Sequence, residues 1–310
     1  MDLRKVFKHL LPYGIVQLYE RNRNIFVDTN ADARWRPLNR KHDECIVLAN
    51  GPSMQTQLNE IRAYAKHADV LTVNSSLKSK DIRNLRPIAH FCADQGFFIP
   101  GYDYWSGPFP EFSKDMAAMF SLVDWPMNLY VPTHFYDAAV ALGYATNCVQ
   151  IVTAPLAPPP SDLPPDQKYR LMNAGIFGVG GQDGALFPLY LAVTARYKRI
   201  WLAGLDASFM HTSFVDEDCR LYYLRKHGYD NVGQKVYCPF PMTELIHKFY
   251  VASVQYDFLK EYADHCGVQI INLSLASIRD FTPKGKLGED PRPWLRGRLP
   301  EDLSPPDEEV

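Results

Sequence analysis

Cys45-Ile46-Val47-Leu48-Ala49-Asn50-Gly51-Pro52-Ser53 is the stretch whose reading decides the fold. A short apolar run ends in a turn-prone cluster, and a helical pattern follows over 54–67. An unbroken apolar run of that length reads as a strand buried on both faces, as in a parallel sheet. Asn50, Gly51 and Pro52 turn the chain, and Ser53 is expected to cap the helix. In an open α/β sheet, ligands sit outside the carboxyl ends of strands, often with an anionic group at a helix N-terminus. Asn50, Gly51, Pro52 and Ser53 are therefore the first candidate nucleotide contacts. Most strand–loop–helix turns bind nothing, so shape alone assigns no ligand.

Working outward, strand-like runs recur at 45–49, 69–74, 88–93, 127–132, 148–153, 199–203 and 268–273. Helical patterns lie between several of them, at 54–67, 134–143, 183–197 and 243–265. This alternation predicts an α/β fold: a Rossmann-like, mostly parallel sheet with helices on both faces. Residues 95–126, rich in aromatics, Gly and Pro, have no clear period and are expected to form a lid or an excursion over the sheet edge. Six prolines between Pro155 and Pro165 mark a loop.

The ends of the chain read differently. Leu3, Val6, Phe7, Leu10 and Leu11 fall on one helical face, with Arg4, Lys5 and Lys8 beside them. The sharp reading is an interfacial helix on an anionic inner leaflet; the plain one is a first helix packed on the domain. Residues 24–43 are polar and irregular. The expected division is thus 1–43 as amphipathic helix and linker, 44–281 as the catalytic domain, and 282–310 as a Pro-rich, partly disordered tail.

Composition bounds the function. A net charge of −2 over 310 residues argues against a general nucleic-acid binder. Cys45, Cys92, Cys148, Cys219, Cys238 and Cys266 form no C-x-x-C pair, which favours reduced thiols in a cytoplasmic protein over disulfides or zinc. No apolar run reaches the roughly 18 residues of a bilayer span.

The strand ends carry the candidate chemistry. The first ends in Asn50-Gly51-Pro52-Ser53, the second in Asn74-Ser75-Ser76, the third in Asp94-Gln95, and the run at 199–203 in Gly204-Leu205-Asp206. Together they make a polar pocket rim able to bind a base, ribose or phosphate. Neither G-x-G-x-x-G spacing nor a P-loop lysine accompanies them. Small polar residues also end strands simply because they turn well. Gly178-Val179-Gly180-Gly181-Gln182-Asp183-Gly184 runs into a helix and offers backbone N–H groups to a phosphate or carboxylate, or is only a flexible joint. His247, near the start of the 243–265 helix, is a candidate general base. Asp216-Glu217-Asp218 imitates a metal-binding D-x-D, but its loop setting reads as a solvated turn. No metal site is expected.

The order of these motifs resembles the bacterial lipooligosaccharide sialyltransferases of glycosyltransferase family 42, over roughly residues 44–280. In that family an N-G-P-S loop follows the first strand, and a strand ending in S-G-I-D follows a helix ending in G-Y-K. A catalytic histidine lies eleven residues before a Phe-Leu pair. Here Tyr197-Lys198 precede the strand that ends in Gly204-Leu205-Asp206, and Phe258-Leu259 begin eleven residues after His247. The N-G-P-S loop is shared with pterin-diphosphokinase-like and flagellin-glycosylating proteins.

The resemblance implies a GT-A-like variant of the fold and His247 as catalytic base. It implies Asn50, Gly51, Asn74 and Gln95 around the cytidine monophosphate part of a donor. Asp183 and Gly184 fall loosely on a Thr-Ser pair of the family, and Asp206 on its strand-closing aspartate. The family's leaving-group tyrosines are not matched: Ser208, Phe214 and Glu244 fall there, with Tyr222, Tyr223 or His211 as stand-ins. The implied activity is an inverting glycosyltransferase moving an acidic 2-keto sugar (sialic acid, Kdo or a relative) from CMP to a glycan or glycolipid hydroxyl. It would need no metal or other cofactor and would work in the cytoplasm, at the inner-membrane surface if the first helix anchors it, with a homo-oligomer left open. The alternatives are a pterin-diphosphokinase-like transferase using ATP and Mg²⁺, and a non-catalytic nucleotide-binding protein.

Overall fold

A computed structural model describes residues 37–100, 112–180, 183–207, 210, 212–225, 234–238, 241–275 and 277–291. The amphipathic segment 1–23, the first part of the linker, Gly181, Gln182, Ser208, His211 and the acidic end of the chain lie outside the described residues.

The elements run β1 (Glu44–Leu48), α1 (Ser53–Tyr64), β2 (Asp69–Val73), α2 (Lys80–Arg83), β3 (Ala89–Phe91), α3 (Phe112–Ser121) and β4 (Met127–Pro132). Then come α4 (Tyr136–Ala141), β5 (Val149–Ala154), α5 (Pro165–Asn173), α6 (Leu186–Thr194) and β6 (Arg199–Ala203). The chain continues through β7 (Phe214–Val215), β8 (Leu221–Arg225), β9 (Gln234–Tyr237), α7 (Met242–His265) and β10 (Gln269–Asn272).

The central sheet has seven strands in the order β10-β6-β1-β2-β3-β4-β5, and every pair in it is parallel. Strand β1 shows why its residues are apolar throughout. Cys45, Val47 and Ala49 enter the core on one face, Ile46 and Leu48 the core on the other. Met54, Leu58 and Ile61 of α1, Ile82 of α2, Met116 and Phe120 of α3 and Ala139 of α4 share the Ile46 face. Tyr169 of α5, Leu186–Val193 of α6 and Tyr256 and Leu259 of α7 cover the other.

This distribution follows from handedness. A β–α–β crossover is right-handed, so the direction of travel across the sheet selects the face its helix covers. From β1 to β5 the chain moves one way and lays α1 to α4 on one face. From β5 it returns past β1 to β6 and β10, laying α5 to α7 on the opposite face. The strand order therefore reverses between β1 and β6. A crevice opens at such a point, because the loops leaving the two strands diverge to opposite faces.

Several expectations are adjusted. Of the segment 95–126, residues 101–111 lie outside the described residues, and 112–126 pack on the sheet, with Met116, Met119, Phe120, Val123 and Trp125 buried. A separate antiparallel sheet, β7-β8-β9, follows β6 and was not foreseen. Its Leu221, Tyr223 and Cys238 pack on Leu245 of α7. The packed fold also runs past the expected boundary at 281. Thr282 donates to the Ile270 carbonyl, and Lys284 bridges to Asn272 and reaches the carbonyls of Leu275 and Ser277. At the other boundary, Leu38 is buried, and the amides of Lys41 and His42 donate to the Asp69 carboxylate, which also takes the Tyr197 hydroxyl. Among the described residues, no helix is long and apolar enough to cross a membrane.

Candidate functional site: the crevice between β1 and β6

The two strands stay hydrogen-bonded past their ends. Ala49 N–H donates to Ala203 at 2.8 Å and Gly51 N–H to Gly204 at 2.8 Å. That approach requires both glycines. A Cβ on Gly51 would lie 2.3 Å from the Gly204 carbonyl oxygen and 2.4 Å from Asp206 Oδ2. Gly204 has φ +71, and a Cβ there would lie 2.6 Å from the Ala49 carbonyl oxygen.

Ser53 is not the cap it was expected to be. It is the first residue of α1, and Pro52 precedes it with no side-chain cap. Its backbone N–H is taken by Asp206 Oδ2 at 2.7 Å, a cap supplied from the end of β6. The Ser53 hydroxyl instead meets Ser274 Oγ at 2.7 Å. The helix N-terminus thus already holds an anion, the chain's own carboxylate. Asp206 is 7 % exposed. Its Oδ1 and the Oδ1 of Asn50 are buried with no donor among the described residues. The crevice therefore presents acceptors, which suit hydroxyl or amino groups.

In the Gly178–Gly184 loop, two of the described amides are already engaged. Gly178 N–H donates to the Ala157 carbonyl and Gly180 N–H to Gln255 Oε1, both at 2.8 Å. Those two N–H groups are therefore not open to a phosphate.

Asn74, at the end of β2, adopts φ +53 at the start of a single 3₁₀ turn, Asn74–Lys78. Its carboxamide points toward Gly184, where an added Cβ would lie 2.8 Å from Asn74 Nδ2. Those two predicted residues are thus neighbours. Asp183 adjoins them but faces elsewhere: Oδ1 accepts from Ala185 N–H at 3.1 Å and Oδ2 pairs with Arg279 at 3.2 Å. Asp94 Oδ1 accepts from Gly96 N–H within its own turn, and Gln95 beside it is exposed.

His247 stands apart from this group. β10 enters from the amino edge, parallel to β6. Helix α7 spans about 36 Å at 1.5 Å per residue, so its first turns overhang the carboxyl edge. Gln255 meets Gly180 at that edge. His247 lies about 12 Å further along the helix axis. It is exposed, on the side shared with Tyr250 and Val254 and away from Phe249, Ser253 and Tyr256. Of the stand-ins for the family tyrosines, Tyr223 is buried in the small sheet's own core. Tyr222 stacks on Phe214 at 5.7 Å. Glu244 pairs with Lys248 at 3.4 Å. The acidic loop is a turn closed by Arg220, which contacts the Asp216 and Asp218 carboxylates, and no group of three or more metal-ligating side chains occurs among the described residues.

A strap after β10, which no periodicity in the sequence marks, crosses the crevice loops. Gln57 Nε2 donates to the Leu273 carbonyl, Ser274 meets Ser53, and Ser277 Oγ donates to the Leu205 carbonyl. Arg279, 3 % exposed in its side chain, ends the strap. Its guanidinium donates to Ser253 Oγ at 2.6 Å and lies 4.1 Å from the Phe249 ring centroid and 4.9 Å from that of Tyr256. Burial, with the Asp183 charge adding to it, raises the Tyr256 hydroxyl well above its ordinary pKa. The signal for this strap was a serine-rich stretch immediately after an apolar strand, followed by a lone arginine.

No protein-family model and no curated protein matches this chain. Among solved structures it is similar to the Maf glycosyltransferase from Magnetospirillum magneticum AMB-1, with 12 % identity and a TM-score of 0.40. The match covers 82 % of this chain and 35 % of that one, so the chain spans about a third of the length of the protein it resembles.

Proposed function

We propose that the crevice between β1 and β6 is the donor site of a glycosyltransferase using a CMP-activated acidic 2-keto sugar. The observation that carries this reading is the reversal of strand order at Asn50–Ser53 and Gly204–Asp206, the place where an open α/β sheet takes its ligand. The buried acceptors Asn50 Oδ1 and Asp206 Oδ1 favour a nucleoside there, whose ribose hydroxyls and base amino group are donors. The resemblance of the motif order to family 42 supports cytidine as the base. Because Asp206 occupies the α1 N-terminus, the phosphate of CMP lies away from the Ser53 amide, toward Asn74 and Gly184.

In the reaction the acceptor hydroxyl attacks the anomeric carbon from the side opposite CMP. Its proton passes to His247, the new C–O bond forms, and the bond to the phosphate oxygen breaks with its electron pair leaving on CMP. Configuration inverts. Holding donor and acceptor together supplies much of the acceleration. The acceptor, a glycan or glycolipid, reaches His247 from the overhanging, exposed side of α7. The test is CMP release by the full chain from a panel of CMP-activated acidic sugars with glycan acceptors. His247→Ala should lower turnover by about 10²-fold or more. Absence of release, with stabilisation by ATP and Mg²⁺ in place of CMP, would give the crevice to diphosphate transfer instead.

A further inference from the structure

We propose that His90 is a positioning residue that locks Asn74 in its left-handed backbone conformation and so aims the Asn74 carboxamide at the phosphate of the bound nucleotide. This rests on the reading of the crevice as a nucleotide site. His90 lies in β3, with its side chain fully buried. Thr72 of β2 is its cross-strand partner. The two ring nitrogens each have one partner: Nδ1 meets Thr72 Oγ1 at 2.8 Å, and Nε2 meets the Asn74 carbonyl oxygen at 2.7 Å.

A carbonyl only accepts, so the proton sits on Nε2. Nδ1 is then bare and accepts the Thr72 hydroxyl. The ring is neutral, and burial pushes its pKa down to about 3. Phe120 packs edge-on against it at 5.5 Å. With one tautomer and one orientation, the imidazole holds the Asn74 carbonyl in place.

Asn74 needs such a hold. Its φ of +53 lies in a region that L-residues avoid, though asparagine tolerates it best. Released, the backbone relaxes to an extended conformation, continuous with β2, and the carboxamide swings away from Gly184. A histidine that merely fills the core would show the same contacts but would have no influence on what Asn74 binds. The two roles therefore differ in coupling.

The experiment measures CMP affinity by calorimetry for the wild-type chain, His90→Phe, Asn74→Ala and the double variant. His90→Phe should weaken CMP by about tenfold with Asn74 present and add nothing in the Asn74→Ala background. His90→Gln, whose amide can still donate to the Asn74 carbonyl, should bind close to wild type. If His90→Phe does not fold, His90→Asn, too short to reach, takes its place. Equal weakening in both backgrounds, or none in either, overturns the proposal. A crystal structure of the His90 variant gives a readout that needs no ligand. Loss of the left-handed Asn74 supports the lock, and an unchanged Asn74 refutes it. A wild-type chain that binds no CMP while its variant loses the Asn74 conformation refutes the nucleotide reading alone.

Discussion

Asp206 accepts the Ser53 backbone N–H at 2.7 Å, joining residues 153 positions apart in the chain. One carboxylate thereby closes the N-terminus of α1 and fixes the loop after β6 to the loop after β1. Removing it should affect stability first. Asp206→Ala leaves a helix-terminal donor without its charged partner and should lower unfolding free energy by about 2 kcal/mol. Asp206→Asn, which keeps an acceptor oxygen, should lose about half that. Urea midpoints check both, and equal stability of all three proteins would show that the cap contributes nothing.

The close approach of β1 and β6 predicts an unequal response at two glycines. Gly143 has φ +74 but open space around it, so Gly143→Ala meets backbone strain alone, about 1–2 kcal/mol. Gly51→Ala places a methyl 2.3 Å from a carbonyl oxygen that is itself held in the ladder. The loop must open, and the expected loss is about 3 kcal/mol or more. Thermal unfolding of the pair gives the ranking, and a milder effect at Gly51 would contradict the geometry.

His90 ties stability to pH. Its native pKa is pushed down to about 3 by burial, below the ordinary 6.5 of the unfolded chain. Between those values the unfolded chain binds a proton that the folded chain refuses. The stabilising contribution is therefore complete above pH 6.5 and is lost as pH falls toward about 3, with a slope of about 1.4 kcal/mol per pH unit. His90→Gln removes that slope while leaving the other titrations in place. Stability measured from pH 7 to pH 4 should therefore fall less steeply in the variant, and parallel curves would count against a neutral buried His90.

Arg279 anchors the strap to Asp183 and Ser253. Arg279→Met removes the cation and leaves Asp183 without it, which should destabilise the protein by about 3 kcal/mol. Adding Asp183→Asn should recover part of the loss, because the stranded charge is then gone. A double variant as unstable as the sum of the two singles would argue that the ion pair is incidental.

The alternation of apolar runs and amphipathic stretches was enough to expect the parallel sheet, because strands buried on two faces leave no room for polar residues. The loop Asn50–Ser53 was visible for the same reason, as a sharp change at the end of such a strand. Its cap was not visible, since nothing local to Ser53 indicates that a carboxylate from the end of β6 reaches it. His90 was hidden inside the run at 88–93, where one histidine among apolar neighbours reads as a tolerated core residue. The sheet β7–β9 was missed because its strands are short and lie among charged turns. The strap at 273–279 depends on hydroxyl contacts that have no period.

Binding of a cytidine nucleotide in the crevice between β1 and β6 is measured by calorimetric titration of CMP into the full chain and into Asn74→Ala. One site per chain is expected in the wild type, with about tenfold weaker binding in the variant. No binding at millimolar CMP, or binding that Asn74→Ala leaves unchanged, would contradict it.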